Sequence, residues 1–245
     1  MQLYQPINVP KGVADGIWIV DGPLVVYSLG PLRVPFPTRM ALVRLHDGSL
    51  FVWSPTELDA RLAFEVGRLG EVKHLVSPNR LHYSHIGAWK KAFPGAIAWA
   101  SPGARERAAS HGSGAVFDRN LREGPDDAWG AEIDQLVFRG SRVLEEVVFF
   151  HRASRTLMLA DLIENFERDK VGGAAHFVLG LAGVADPDGS APLDMRLTFL
   201  GHRDMARRCL GRVLAWDPAR VVIAHGRWYE ERGAEELRRA FRWLS

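Results

Sequence analysis

Three short apolar runs, each followed by histidine or aspartate, constrain this chain more than any other feature. Val72–Val76 precedes His82 and His85, Thr156–Leu159 leads into Asp161, and Val221–Ala224 ends at His225. Runs of four or five residues with little polar alternation predict strands buried on both faces. Polar residues just beyond such strands line ligand sites in layered α/β proteins. Four candidates on three strand ends therefore predict one sheet edge where imidazole nitrogens and a carboxylate meet. That donor set suits zinc first, and also iron or manganese. Taken singly, each residue has a plainer reading. His82 and His85 fit a polar helix start, Asp161 fits an N-cap for a helix at Leu162–Asn165, and His225 fits a hydrogen-bonded turn before Gly226.

The text around these runs sets the architecture. From Ile17 to Val52 it reads as strands and turns only: Ile17–Val20 ending at Asp21-Gly22, Leu24–Ser28 ending at Gly30-Pro31, and a hairpin about Asp47-Gly48. Asp-Gly between apolar runs is a strong turn signal. Ser54-Pro55-Thr56-Glu57 predicts a helix start, with Ser54 or Thr56 as N-cap and Pro55 in the first turn. Strand and helix then alternate through Ala96–Ala100 and the short helix after Pro102, as layered α/β folds require. Residues 110–131, rich in Gly, Pro and Asp, read as a long surface loop that could lie over a site. Strands return at 136–138, 147–150 and 156–159. Helices are expected near Ser84, over His202–Leu214 and over Glu230–Leu244.

At 245 residues and 47% hydrophobic, with no linker-like run, the chain predicts one domain spanning residues 1–245. A net charge of +2, with both signs interspersed, argues against a nucleic-acid partner or an anionic membrane. The single Cys209 excludes an intrachain disulfide and fits a reducing compartment. Together with an N-terminus lacking a signal-peptide pattern and no apolar run of ~20 residues, this predicts a cytoplasmic protein acting on a small molecule. There is no Gly-x-Ser-x-Gly, no phosphate-cradling Gly-rich loop with Lys-Ser, and no Cys pair.

Five stretches carry a family resemblance: Pro35-Phe-Pro-Thr-Arg-Met40, Ser77-Pro-Asn-Arg-Leu-His82, Trp89 with Phe93-Pro94, Thr156-Leu-Met-Leu-Ala-Asp161, and Val221-Val-Ile-Ala-His-Gly226. On these, the chain resembles the metallo-β-lactamase superfamily, and within it the DUF4336 group. The resemblance implies an α/β four-layer αββα sandwich of two mixed sheets with helices outside. It also implies a site on one sheet edge, usually holding two zinc or iron ions, and hydrolysis of esters, amides or thioesters.

Departures from the family pattern reduce the expected ligand set. When Gly87 is aligned with the last glycine of His-x-His-x-Asp-His-x-Gly, the four ligand slots hold Arg80, His82, Ser84 and His85. A further family histidine falls near Arg139–Arg142, where none stands, and His151 is read as a surface residue. Asp161 matches the bridging aspartate and His225 the terminal histidine. The expected cofactor is therefore one divalent metal or none. His85, Asp161 and His225 would hold it, with His82 as fourth ligand or proton shuttle. One carboxylate offsets only part of the repulsion between two dications, and Arg80 adds to that repulsion. Asp161 and His82 are the candidate catalytic residues, while Asn79 and Arg80 are expected to orient an anionic substrate. The chain thus reads as a mononuclear metal-dependent hydrolase of an ester, thioester, amide or phosphoester. The alternative is a degenerate family member that binds a small molecule or partner without hydrolysis.

Overall fold

A computed structural model describes residues 1–29 and 32–245. Seven strands, β1 (Lys11–Ala14), β2 (Ile17–Leu29), β3 (Leu32–Arg44), β4 (Ser49–Trp53), β5 (Glu71–Ser77), β6 (Ile97–Ala100) and β7 (Arg119–Asn120), form one sheet in chain order. The first four pair antiparallel and the last three join in parallel. A second sheet has the order β11-β10-β9-β8, from β8 (Ile133–Phe138), β9 (Glu146–His151), β10 (Thr156–Asn165) and β11 (Arg220–Gly226). It is antiparallel except for the parallel pair β10–β11.

Side-chain alternation along these strands builds the layers. Ile19, Val43, Phe51, Trp53 and Trp99 of the first sheet pack against Val137, Val147, Phe149, Met158 and Val222 of the second. On the first sheet's outer face, Met40, Leu42, Val52 and Leu75 meet α1 (Ala60–Leu69), α2 (Ile86–Ala92) and α3 (Ala104–Ser110). On the other, Phe138, Phe150, Leu157 and Ile223 meet α7 (Arg203–Ala215) and α8 (Gly233–Ala240). The result is the expected αββα sandwich. Three more helices, α4 (Arg168–Val171), α5 (Gly173–Ala182) and α6 (Leu193–Leu197), follow β10, where no helical pattern stands out in the sequence. No helix among the described residues is long and apolar enough to cross a membrane.

Local readings differ from the structure in instructive places. Asp21-Gly22 is not a turn but an irregularity within β2, between Asp21 and Leu24. The Asp21 carboxylate is buried against Arg39 at 2.6 Å and Lys11 at 2.8 Å. A side chain at Gly22 would strike Thr38 Oγ1, so the glycine serves close packing rather than reversal. The expected turn at Gly30-Pro31 lies outside the described residues. α1 begins at Ala60, where Asp59 Oδ1 accepts from the Leu62 N–H at 2.7 Å; Ser54 and Thr56 cap nothing. α8 starts at Gly233, not Glu230, because Tyr229 is held extended in a bridge to Val221. Loop 110–131 buries Leu121 and Trp129 in the core between the sheets, and none of it lines the cleft that holds His82, Asp161 and His225. His151 is buried, with Nδ1 2.8 Å from Ser154 Oγ, and is neither a surface residue nor part of that cleft.

Candidate metal centre

Asp161 stands within β10, with the strand continuing four residues beyond it, so its reading as a helix cap is excluded. Nearby, β5 ends at Ser77 and its loop delivers His82, while β11 ends at His225-Gly226. Donor atoms of His82, Asp161 and His225 all lie within 4.8 Å of one another, and no second group of three exists among the described residues. Asp161 Oδ1 is 3.3 Å from His82 Nε2 and 3.2 Å from His225 Nε2. The two rings are 5.4 Å apart between centroids.

Each member is oriented from behind. His225 Nδ1 donates to the Pro37 carbonyl at 2.7 Å, and the Phe36 ring meets His225 edge-on. His82 Nδ1 shares a 2.7 Å hydrogen bond with Ser54 Oγ. Ser54 itself sits at φ +52°, a backbone state uncommon outside glycine that turns the hydroxyl toward the ring. Asn79 donates to Asp161 Oδ2 at 2.7 Å and to Glu146 Oε2 at 2.9 Å. Gly226 has φ +94°, and a Cβ there would lie 2.1 Å from the Asn165 carbonyl, so only glycine lets β11 approach β10 at this point.

This arrangement fits a metal ion. With its Nδ1–H committed to Pro37, a neutral His225 points the Nε2 lone pair at a carboxylate oxygen 3.2 Å away. Two lone pairs face each other favourably only with a proton or a cation between them. Ligand atoms on a tetrahedral ion with bonds of ~2.1 Å stand about 3.4 Å apart, close to the observed 3.2 and 3.3 Å. Two imidazoles and one carboxylate, each tethered through its other polar atom, are the usual make-up of a three-ligand site with an open position.

His85 does not join the three. Although it lines the same cleft, it lacks a tether such as Ser54 gives His82, and its Nε2 is buried without a hydrogen-bond partner. Burial also holds its pKa below the ordinary histidine value. Asn79 is fully buried and spent on two carboxylates, so the structure makes it a support for Asp161 and not a substrate contact. Arg80 does line the cleft, with Nη1 3.4 Å from the Val143 carbonyl. Ser84 is an exposed residue on the same wall.

Two acids escape a reading of the sequence alone. Glu146 is fully buried behind Asp161 and accepts from the Ala160 N–H at 2.6 Å and the Asp161 N–H at 2.8 Å. Burial, with the neighbouring Asp161 charge, pushes its pKa up to about 7. Asp161 shifts the opposite way: burial opposes ionisation, but the two imidazoles overcome it. For His225, burial favours the neutral ring, yet hydrogen bonding and charge from Asp161, and the charge of Glu164, raise its pKa. Glu164 pairs across β10–β11 with His225 and lines the cleft. Burial, opposed by His225 and aided by Asp161, pushes its pKa up to about 8. Strict period-two alternation would put residues 161 and 164 on opposite faces; the irregularity between Leu159 and Glu164 turns both toward the cleft. The cleft is about 550 Å³ and is lined by Arg80 and Arg107, by the three ligand candidates, and by Leu179, Val184 and Met195.

Comparison with known proteins agrees with this geometry. The chain matches the family described as "Domain of unknown function (DUF4336)" over residues 14–172, more than half its length, and therefore belongs to that family. No curated protein matches it by sequence. Among solved structures it is similar to a metallo-β-lactamase from Pontibacter korlensis, with a TM-score of 0.63, 15% identity and 99% of each chain covered. It is also similar to the metallo-β-lactamase FIM-1 from Pseudomonas aeruginosa in its mono-zinc form, at 0.62 and 12%, covering 100% of this chain and 95% of that one. Rubredoxin oxygen:oxidoreductase from Desulfovibrio gigas is similar at 0.59 and 13%, covering 96% of this chain and 61% of that one. At such identities the likeness establishes the metallo-β-lactamase fold alone.

Proposed function

We propose that this member of the DUF4336 family is a mononuclear metal-dependent hydrolase, with the ion held by His82, Asp161 and His225. The observation that carries the reading is the Asp161 carboxylate facing two imidazole Nε2 atoms at 3.2 and 3.3 Å, with the other ring nitrogens already engaged. Zinc suits this donor set first, with iron and manganese also compatible. Once bound, such an ion polarises a scissile carbonyl or phosphoryl group and brings the pKa of its water toward ~7.

The chain's own residues supply the rest. Asn79 and Glu146 hold Asp161 in place, so that carboxylate is committed as a ligand and not as a base. Glu164 takes the proton-accepting role: its carboxyl borders the cleft beside His225, and a bound cation would favour its ionised form over the burial that raises its pKa in the metal-free chain. His85 and Arg80 flank the approach from the β5 loop. The test is hydrolysis of a panel of p-nitrophenyl esters and thioesters by zinc-loaded protein. Glu164→Gln is expected to lower kcat by about 10²–10⁴ while metal content stays unchanged. Equal loss of metal and activity would assign Glu164 to ligation instead. A metal-loaded chain inert across the panel would favour the degenerate, ligand-binding alternative.

A further inference from the structure

The two walls of the cleft differ in chemistry. One carries Arg80 and Arg107, and the other is apolar: Val25, Phe36, Leu179, Val184 and Met195. The arginines come together because the Arg80 stem packs beside Gly103, which opens the helix bearing Arg107. Neither guanidinium makes an ion pair among the described residues, and the Nε of each is buried without a hydrogen-bond acceptor. An enclosed Nε left unmet is costly, and although Arg80 Nη1 reaches the Val143 carbonyl at 3.4 Å, each half-buried fork keeps donors for a planar anion. The orphaned Nε2 of His85 lines the same cleft and adds a third polar contact. The acids of the cleft lie elsewhere: Asp161 is held by the two histidines, Glu164 is beside His225, and Asp194 belongs to α6 on the apolar wall. On that wall α5 and α6 also leave Phe177, Leu181 and Leu193 more than half exposed.

We propose that the cleft binds a single-chain anionic amphiphile, its phosphate or carboxylate head on Arg80 and Arg107 and its apolar chain along Leu179, Val184 and Met195. This names the substrate class of the same site and so rests on the hydrolase reading, but head and chain are recognised by residues outside the metal ligands.

Dodecyl phosphate below its micelle concentration, followed by titration calorimetry with zinc-loaded and with chelated protein, tests it. One probe per chain is expected. Affinity should fall by about tenfold or more in the Arg80→Ala/Arg107→Ala double variant, in Leu179→Asp, and on shortening the probe to butyl phosphate. Circular dichroism verifies that the variants are folded. Dodecyltrimethylammonium binding as well as the phosphate, or dodecyl phosphate unaffected by the arginine changes, would overturn the proposal. Binding only to phosphatidic-acid vesicles and not to the monomeric probe would overturn it too, because the ligand would then be a surface. If the arginine-dependent binding appears in chelated protein while no metal is ever taken up, the amphiphile site stands and the hydrolase reading falls.

Discussion

Three acids at one sheet edge behave differently because each has different company. Asp161 has two imidazoles and an amide, Glu146 has two backbone N–H groups and the same amide, and Glu164 has burial with little relief. Glu164 makes the clearest pH prediction. Its folded-state pKa of about 8 lies above the ordinary 4.5, so the fold favours its protonated form. Its relative contribution to stability is then full below about pH 4.5 and is lost as pH rises through about 8, an effect of a few kcal/mol at most. In chelated protein, the unfolding free energy of the wild type minus that of Glu164→Gln should therefore fall between pH 5 and 9. A flat difference would mean that Glu164 is not desolvated. Ser54 allows a second test of the proposed centre, since it hydrogen-bonds His82 Nδ1, the ring nitrogen away from Asp161. Ser54→Ala is expected to weaken metal affinity about 10- to 100-fold with little change in fold stability, measured by competition with a chelating dye.

At the scale of elements, α1 gives a sharp discrimination. Asp59→Ala should destabilise the protein by ~1 kcal/mol in urea through loss of the cap, whereas Thr56→Ala should leave α1 intact. Gly226→Ala should cost several kcal/mol, because a positive φ and a clash with the Asn165 backbone coincide there. The buried strands are legible in the sequence, since unbroken apolar runs such as Leu157–Leu159 and Val221–Ala224 have few other uses. So is His225 near the end of β11, whereas Asp161 proves to stand inside β10 and not at its end. Illegible are features decided by tertiary pairing. Leu162–Asn165 looks helical in isolation, but pairing with β11 and the bridge to Ser190 keep it extended and bring Glu164 into the cleft. Glu146 looks like a polar residue before a strand; only its backbone partners on β10 reveal it as the support of Asp161. The choice between His82 and His85 rests on Ser54, a residue 28 positions earlier whose part no local pattern announces.

Across the whole molecule, the two sheets are coupled by a charged link at the site's edge. Arg39 of β3 donates to the carbonyls of Ile223 at 3.0 Å and Gly226 at 2.6 Å, and pairs with the buried Asp21. The stretch Pro35–Met40 thereby acts on the candidate metal centre twice, through the Pro37 carbonyl on His225 and through Arg39 on the end of β11. Arg39→Ala is expected to cost about 3–5 kcal/mol, since it leaves a buried carboxylate short of its partner, and to loosen His225 with it. The metallo-β-lactamase fold is thus kept, and His82, Asp161 and His225 are the one group among the described residues that could hold a metal ion. Metal content tests this most directly. Elemental analysis of protein purified without chelator or added metal should give about one equivalent of zinc, iron or manganese per chain, lost in Asp161→Ala and His225→Ala and retained in His85→Ala. Two equivalents, or one that survives Asp161→Ala, would contradict the mononuclear centre on His82, Asp161 and His225.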